Sequence, residues 1–144
     1  MSEIFVVAMD GSSGCQRALD LALMMAKSSG QHVVLAHVIE WSAFSFHTPE
    51  ELAERHKRRE EELERAHEAI LGPAMARAAS EGVEAEAVVL HGHPAETLSD
   101  LATERRASNI FIGRKGQSRV GNLLFGSVAG SLVQASPIAV TVVP

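Results

Sequence analysis

The sequence predicts a single α/β domain, residues 1–144, built on an open, twisted, five-stranded parallel sheet with helices on both faces. Two observations predict this fold class. Short apolar runs alternate with longer runs of helical character along the whole chain. The short runs are hydrophobic almost throughout, which is typical of parallel strands that are buried on both faces. Right-handed crossovers in a doubly wound sheet then predict the strand order 3-2-1-4-5.

The first strand is predicted at Ile4–Met9, a short apolar run rich in valine. A helix follows it, with Ser12 or Ser13 as its N-cap, because a serine side chain accepts a hydrogen bond from a free N–H of the first turn. The helix continues to about Ser29, where Gly30 provides the left-handed residue that commonly ends a helix.

The second strand is predicted at His32–Ile39, and a highly charged helix follows it. Thr48 is predicted as the N-cap of that helix, with Pro49 in its first position and Glu51 closing a capping box. The Gly-Pro pair at 72–73 is expected to kink or interrupt this helix, since proline lacks the N–H of the helical ladder.

The rest of the chain continues the alternation of strand and helix. The predicted elements are a strand at Glu84–Leu90, a helix at Pro94–Arg106, a strand at Asn109–Ile112, a helix at Ser127–Gln134 and a strand at Ile138–Val143.

A glycine-punctuated loop connects the fourth strand to the last helix. It contains Gly113 and Gly116, and nine residues separate Gly116 from the pair Gly126-Ser127 at the start of the helix. Glycines let the backbone approach a ligand closely, and the free N–H groups and the dipole at a helix start attract negative charge. The loop therefore predicts an anion site, for which phosphate is the obvious occupant.

The predicted strand order points to the same place. In the order 3-2-1-4-5 the winding reverses between strands 1 and 4, and ligands of such sheets bind there, outside the C-terminal strand ends. Asp10 follows strand 1 and Gly113 follows strand 4, so both lie at this crevice. Asp10 has an alternative role as a plain turn former before Gly11.

Composition excludes several classes of protein. The formal net charge of −5 argues against general binding to nucleic acid or to anionic membranes, both of which favour a basic surface. No apolar run approaches the length of a membrane span. The single Cys15 excludes an internal disulfide framework and is expected to be a packing residue. Together with an acidic start and no visible signal peptide, this predicts a cytoplasmic protein.

The spacing G-x2-G-x9-G-[S/T] resembles the nucleotide-binding signature of the universal stress protein family. Further fragments, in the family's order, are similar to its strands and strand ends. These fragments are 5–12, 35–38, 89–96, 123–129 and 137–143. The resemblance implies that residues 1–144 form one universal stress protein domain with the adenine nucleotide alpha hydrolase-like fold.

The resemblance implies ATP or another adenine nucleotide as the ligand, accompanied by Mg2+ or Mn2+. Val38 would pair its backbone with the adenine edge, and Ala8 would line the base pocket. Asp10 suits a ribose hydroxyl or a metal-bound water better than a phosphate, whereas Gln117 would reach phosphate. The nine candidate binding residues are Ala8, Asp10, Val38, Gly113, Gly116, Gln117, Gly126, Ser127 and Val128. No catalytic residue and no protein metal ligand is assigned.

We expect a stress-response or regulatory module and not a fast enzyme. Residues 113–116 lack the Gly-Lys-Ser/Thr ending of a Walker A loop, and residues 10–15 do not match the Ser-Gly-Gly-x-Asp-Ser loop of related adenylating enzymes. Two alternatives stay open. One is a nucleotide-independent adaptor or transporter-associated regulator that acts through its dimer surface, and the other is a slow ATPase.

The chain departs from the family pattern at two places. Arg114 and Lys115 stand where a small residue and then His or Arg are usual, and their charge would strengthen phosphate binding or favour a more highly charged ligand. Which of Arg114, Lys115 and Arg119 points inward is left open. Asn109 replaces a usual aspartate and is interpreted as structural.

Several other side chains have two interpretations. His91 and His93 are two residues apart, but a metal site is disfavoured because no third ligand is apparent. His37, in an apolar strand, is interpreted as a partly buried histidine with a satisfied hydrogen bond. The loop after the second strand carries aromatic residues that would cover the adenine or contact a partner. These residues are Trp41, Phe44 and Phe46.

The last strand, Ile138–Val143, would form an edge of the sheet made of apolar β-formers. Exposed apolar edges invite pairing with another chain. The family resemblance implies that this strand pairs antiparallel with its copy in a homodimer. A dimer and a tetramer both stay open.

Overall fold

The computed structural model describes residues 3–40, 48–115 and 126–144. This part of the chain contains five strands and five α-helices, and one or two helices connect each strand to the next. The strands are β1 (Ile4–Ala8), β2 (His32–Glu40), β3 (Ala85–Gly92), β4 (Asn109–Gly113) and β5 (Ala139–Val143). The helices are α1 (Ser13–Ser29), α2 (Pro49–Arg65), α3 (Gly72–Ser80), α4 (Pro94–Glu104) and α5 (Ser127–Ala135).

The strands form one parallel sheet in the order β3-β2-β1-β4-β5. The predicted fold class and strand order are confirmed. β1 lies at the centre, with Val6 paired to Val34 of β2 and to Ile110 of β4. The winding therefore reverses between β1 and β4, as the sequence predicts.

Alternate strand residues face opposite sides of the sheet and form two separate cores. On one face, Val7, Leu35 and Phe111 pack with α1 and α3. On the other face, residues such as Val6 and Ile112 pack with α4 and α5. β1 and β4 are buried at consecutive positions, on both sides of the sheet, which explains why their sequences are apolar almost throughout.

The predicted helix caps are confirmed, and Ser12 is the N-cap of α1. The Ser12 side chain accepts a hydrogen bond from the Cys15 N–H, and Gly30 ends the helix at φ 72°. Thr48 and Glu51 form both bonds of the capping box at the start of α2. Among the described residues, none of those in α2 is buried, so this charged helix lies on the surface.

The Gly-Pro pair at 72–73 interrupts the long helix, as predicted. A π-helical turn, Ala66–Leu71, separates α2 from α3, and the Gly72 N–H donates to the carbonyl of His67. Pro73 then lies in the first turn of α3, where a missing N–H costs nothing. A π turn is a common place for a helix to bend.

Most element ends lie within one residue of the predictions, and the differences at the ends of β2, β3 and α4 have a physical cause. β2 and β3 continue to Glu40 and Gly92, because their ladder pairs these two residues with each other. The helix predicted to reach Arg106 ends at Glu104. Arg106 adopts a left-handed φ of 55°, and the Ala107 N–H closes the helix end on the Ala102 carbonyl. A non-glycine residue gives no sequence signal for such an ending.

Phe111→Ala should lower the free energy of unfolding by about 3–5 kcal/mol, because it empties a large site in the core. Phe111 is 0% exposed and meets the Phe5 ring edge-on at 5.0 Å between centroids. Urea denaturation followed by circular dichroism measures the change. Met24→Ala is the control, since Met24 is 63% exposed and its truncation should cost less than about 0.5 kcal/mol. A loss below about 1 kcal/mol for Phe111→Ala would contradict this packing.

Candidate functional site

A cavity of about 370 Å³ opens at the C-terminal ends of β1, β2 and β4. It lies on the face of the sheet covered by α4 and α5. Seven of the nine candidate binding residues line it; Gly116 and Gln117 lie outside the described residues. The seven are Ala8, Asp10, Val38, Gly113, Gly126, Ser127 and Val128. The topology and the glycine loop thus bring the described candidates together in one crevice.

One wall of the cavity is apolar and partly made of small side chains. Ala8 of β1 and Ala36 of β2 lie in register next to each other on the sheet. Leu98 and Ala129, which are both 2% exposed, face them from α4 and α5. The two alanines leave room above the strands, so this wall suits a flat apolar ring.

β2 continues four residues beyond the end of β1, because β3 holds it as far as Glu40. Backbone groups of even-numbered β2 residues point towards β1: the His32 N–H donates to Glu3, and the Ala36 carbonyl accepts from the Met9 N–H at 2.7 Å. By this alternation the N–H and C=O of Val38 point into the crevice. Within the described ranges, the Val38 N–H does not donate to the Met9 carbonyl, which is the next acceptor on the β1 side.

The first turn of α5 has N–H groups that no carbonyl of the helix itself can accept. Gly126 is the N-cap, with φ −65° and ψ 164°, and no side chain of the described residues caps the helix. The Gly126 N–H donates a hydrogen bond to the Arg114 carbonyl oxygen at 2.7 Å. The N–H groups of the next residues, Ser127 and Val128, belong to the first turn and have no partner within the helix. Together with the helix dipole they favour an anion.

Charged groups lie on two sides of the crevice. Arg114 and Lys115 are both exposed, and of the two Lys115 lines the cavity. Arg119 lies outside the described residues, so its direction is not given. Asp10 and Glu40 also line the cavity. The positive charge of Lys115 therefore lies on the side of the crevice next to β4, and the negative charge of Glu40 lies at the end of β2.

Asp10 forms the turn between β1 and α1. Its carboxylate accepts hydrogen bonds from the Ser12 hydroxyl and from the Ser12 N–H, the latter at 2.9 Å. The alternative role as a turn former is thus confirmed. It is compatible with ligand binding, because a carboxylate has two oxygens and about four acceptor positions.

Gly14 is part of the site and was missed by the sequence analysis. The start of α1 crosses the end of β4 so closely that a Cβ on Gly113 would lie 2.6 Å from the carbonyl carbon of Gly14. A Cβ on Gly14 would lie 2.6 Å from the Lys115 carbonyl oxygen. Gly113 was predicted to let the loop fold over a ligand; the structure shows that it also lets two backbones touch. A lone glycine inside a helix was the only available signal for Gly14.

Cys15 is a buried packing residue, as predicted. It is 2% exposed, and its Sγ lies 3.1 Å from the Ser12 carbonyl oxygen, which accepts a hydrogen bond from the thiol. Burial raises the pKa of the Cys15 thiol, so at neutral pH it is uncharged beside the crevice.

His37 makes the hydrogen bond that its position in an apolar strand suggests. Its Nδ1 lies 2.6 Å from the Met9 carbonyl oxygen.

His91 has no such bond. Burial, followed by the charge of Arg59, lowers the pKa of His91, and its Nε2 has no hydrogen-bond partner in the part of the chain that the structure describes. Over the same residues, no group of three or more potential ligands could hold a metal ion.

Asn109 has the structural role that the sequence analysis assigns to it. Its Oδ1 accepts a hydrogen bond from the Thr141 hydroxyl at 2.9 Å, which links β4 to β5 at the end of the sheet opposite the crevice.

The Glu54–Arg58 pair on α2 is a surface ion pair at 3.1 Å. The aromatic loop residues Trp41, Phe44 and Phe46 lie outside the described residues.

An open, doubly wound α/β sheet with a crevice at its switch point defines a class of folds that bind ligands outside the carboxyl ends of their strands. The sequence model of the universal stress protein family matches residues 1–144. The chain belongs to the universal stress protein family.

Two curated relatives carry the family name. Universal stress protein YxiE of Bacillus subtilis is 30% identical over 145 residues, which cover 96% of each chain. A universal stress protein of Thermus aquaticus, encoded in the 3′ region of a QAH/OAS sulfhydrylase gene, is 33% identical over 149 residues, 99% of each chain.

Solved structures of the family share the fold. Universal stress protein UspA from Lactobacillus plantarum matches with a TM-score of 0.86 at 22% identity, covering 99% of this chain and 97% of that one. A universal stress protein in complex with cAMP matches at 0.71 and 26% identity, covering 99% and 96%. One from Archaeoglobus fulgidus in complex with dAMP matches at 0.65 and 24%, covering 100% and 98%.

Of the helices that the structure describes, none is both long and apolar enough to cross a membrane.

Gly14→Ala should lower the free energy of unfolding by about 1–3 kcal/mol, because the new methyl group meets the Lys115 backbone and forces the glycine loop to move. Gly72→Ala is the matched control: Gly72 is helical, and a Cβ there would lie 3.4 Å from its nearest neighbour, the His67 carbonyl oxygen. The control should keep or slightly raise the stability measured by urea denaturation. Equal behaviour of the two variants would contradict the close crossing.

Proposed function

We propose that this protein binds an adenine nucleotide, ATP in the first instance, in the crevice and acts as a nucleotide-responsive regulatory module of the stress response. The observation that carries the proposal is the convergence of three kinds of group in one cavity. These are a backbone edge at Val38, the carboxylate of Asp10 and the free helix start at Gly126. They match the base, the ribose and the phosphates of one nucleotide.

The base fits the apolar wall and the free edge of β2. The Val38 N–H donates to N1 of adenine, and the Val38 carbonyl accepts from the exocyclic amino group. Guanine presents the opposite pattern, with a carbonyl oxygen and an N1–H, so this edge favours adenine. Ala8 and Leu98 hold the two faces of the ring, which accounts for the small side chain at position 8.

The phosphates fit the start of α5. The N–H groups of Ser127 and Val128, the Ser127 hydroxyl and Lys115 supply donors and positive charge. Gly116 and Gln117 complete the loop in this proposal. Asp10 takes a ribose hydroxyl or a water of the Mg2+ or Mn2+ ion that accompanies a triphosphate. Such an ion is held mainly by phosphate oxygens and supplies charge neutralisation there.

The site favours binding over rapid turnover. Phosphoryl transfer needs a positioned base and strong clamping of the γ-phosphate. The Walker A ending is missing from residues 113–116, and the Asp10 carboxylate is engaged in the turn to Ser12. Hydrolysis, where it occurs, is slow in this proposal.

The proposal includes a homodimer formed through β5. Odd-numbered β5 residues bond to β4, as shown by the Arg114 N–H donating to the Val143 carbonyl at 2.8 Å. By the alternation of a parallel ladder, the backbone groups of Val140 and Val142 point outward from the sheet. Both side chains are only partly buried, so this edge is apolar and suited to pairing with a second copy.

Gly126→Asp should abolish ATP binding while the fold is retained. Aspartate is a favoured N-cap, so the helix is stabilised; however, its carboxylate takes the same N–H groups as the phosphate and repels it. Gly126→Asn gives a neutral cap of the same shape, and Gly126→Ala gives neither cap nor charge. We expect ATP affinity to fall in the order Gly126, Gly126→Ala, Gly126→Asn, Gly126→Asp in calorimetric titrations with Mg2+.

Adenosine, which has no phosphate, is the matched ligand and should bind all four proteins alike. No heat with ATP for the folded, nucleotide-free wild type would contradict nucleotide binding. In that case the adaptor or transporter-associated alternative, which acts through the β5 surface, becomes the better explanation.

Val142→Pro should convert the dimer to a monomer without unfolding it, because it removes an outward N–H from the edge and leaves the bonds to β4 in place. Thr141→Pro is the control: it removes an N–H on the β4 side and should unfold or strongly destabilise the domain. Sedimentation velocity gives the oligomeric state, and circular dichroism gives the fold. A wild type that sediments as a monomer at micromolar concentration would contradict the dimer, and so would a dimer that survives Val142→Pro.

A further inference from the structure

The free edge at Val38 needs an explanation, because a parallel ladder between β1 and β2 would normally use it. The ladder places the Glu3 carbonyl opposite the His32 N–H, and the Ala36 carbonyl opposite the Met9 N–H. In the same register, the next bond would run from the Val38 N–H to the Met9 carbonyl. One more rung would therefore remove the donor that faces the crevice.

The Met9 carbonyl accepts a hydrogen bond from the ring of His37 instead. The Nδ1···O distance is 2.6 Å, and the contact is partly buried. A carbonyl oxygen can only accept, so Nδ1 carries the proton. The backbone of His37 faces β3, where the residue pairs in register with Val89. Its ring reaches the other way, to the Met9 carbonyl after the end of β1.

We infer that His37 is a positioning residue that keeps the Val38 N–H available to adenine by satisfying the Met9 carbonyl with its ring. This inference rests on the proposed adenine-nucleotide function and adds a residue that sets its base selectivity. Without the ring, a partly buried carbonyl would lack a donor, which costs free energy. The nearest donor in ladder register is the Val38 N–H. It would then donate to the Met9 carbonyl, which adds one hydrogen bond to the ladder and removes the donor to N1 of the base.

The inference concerns one hydrogen bond to one atom of the base, so it can be tested with a ligand that lacks that atom. 1-Deaza-ATP has a C–H in place of N1 and keeps the exocyclic amino group and the phosphates. For the wild type we expect ATP to bind about tenfold more tightly than 1-deaza-ATP, the value of one well-formed hydrogen bond. For His37→Leu we expect this ratio to fall below about threefold, because the N1 of ATP then has no donor and ATP loses its advantage over 1-deaza-ATP.

Two conservative variants separate positioning from simple packing. The side-chain nitrogen of asparagine lies close to the position of Nδ1, so His37→Asn should restore most of the ratio. Glutamine places its nitrogen at the position of Nε2, so His37→Gln should behave like His37→Leu and also serves if the leucine variant does not fold. His32→Leu, at the other end of β2, where the ring pairs with Glu84 at 3.0 Å, should leave the ratio unchanged.

Amide hydrogen exchange of the nucleotide-free protein tests the same geometry without any ligand. The Val38 amide should exchange at least about tenfold more slowly in His37→Leu and in His37→Gln than in the wild type and in His37→Asn, since the leucine and glutamine variants form the extra rung. Val38 amides of equal protection in all variants would overturn the inference. So would a ratio of ATP to 1-deaza-ATP affinity that stays near tenfold in both His37→Leu and His37→Gln, or that His37→Asn fails to restore.

The two readouts distinguish the inference from the function on which it rests. If the wild type binds no ATP, the proposed function is wrong, and the exchange of the Val38 amide still decides the role of His37. If the wild type binds ATP and all His37 variants weaken ATP and 1-deaza-ATP equally, nucleotide binding stands and the positioning role is wrong.

Discussion

The crevice exists because β1 ends four residues before its neighbour β2 does. β3 pairs with β2 as far as Glu40, so β2 stays extended where β1 has already turned away at Ala8. The backbone groups that β1 no longer uses then face an open space. The reversal of winding between β1 and β4 keeps that space from being filled by a crossing helix. The open space and its polar edge follow from this mismatch in strand length, and the position of the cavity follows from the reversal of winding.

Backbone groups dominate this site, and their availability depends on small residues. Gly126 caps α5 without occupying the N–H groups of its first turn, because it has no side chain to do so. Gly14 and Gly113 let α1 and β4 touch, which fixes where the glycine loop begins. Ala8 leaves room above the strand. At each of these positions the small size of the residue is what the site requires. A larger side chain would be unfavourable there, even though the present residues have no reactive group.

This dependence on backbone explains what the sequence could and could not predict. The strand order, the two-sided cores and the position of the site follow from apolar runs, caps and glycine spacing, and the structure confirms the fold. Gly14 was missed because its role comes from a contact with Lys115, about a hundred residues further along the chain. The left-handed end of α4 at Arg106 was missed because only glycine would have given a local signal. The extension of β2 was underestimated because pairing with β3, and not its own composition, sets its length.

Arg114 connects the two structural features on which the proposed function depends, the start of α5 and the edge strand β5. The Arg114 carbonyl accepts from the Gly126 N–H at the start of α5, and the Arg114 N–H donates to the Val143 carbonyl at the end of β5. These bonds are 2.7 and 2.8 Å long, so the helix start at which we propose that phosphate binds and the edge strand that faces outward are tied to the backbone of one residue. A displacement of Arg114 moves both, because neither bond can lengthen by much without being lost. The fold thus connects the proposed anion site and the outer edge of the sheet through two hydrogen bonds to Arg114, which directly follows β4.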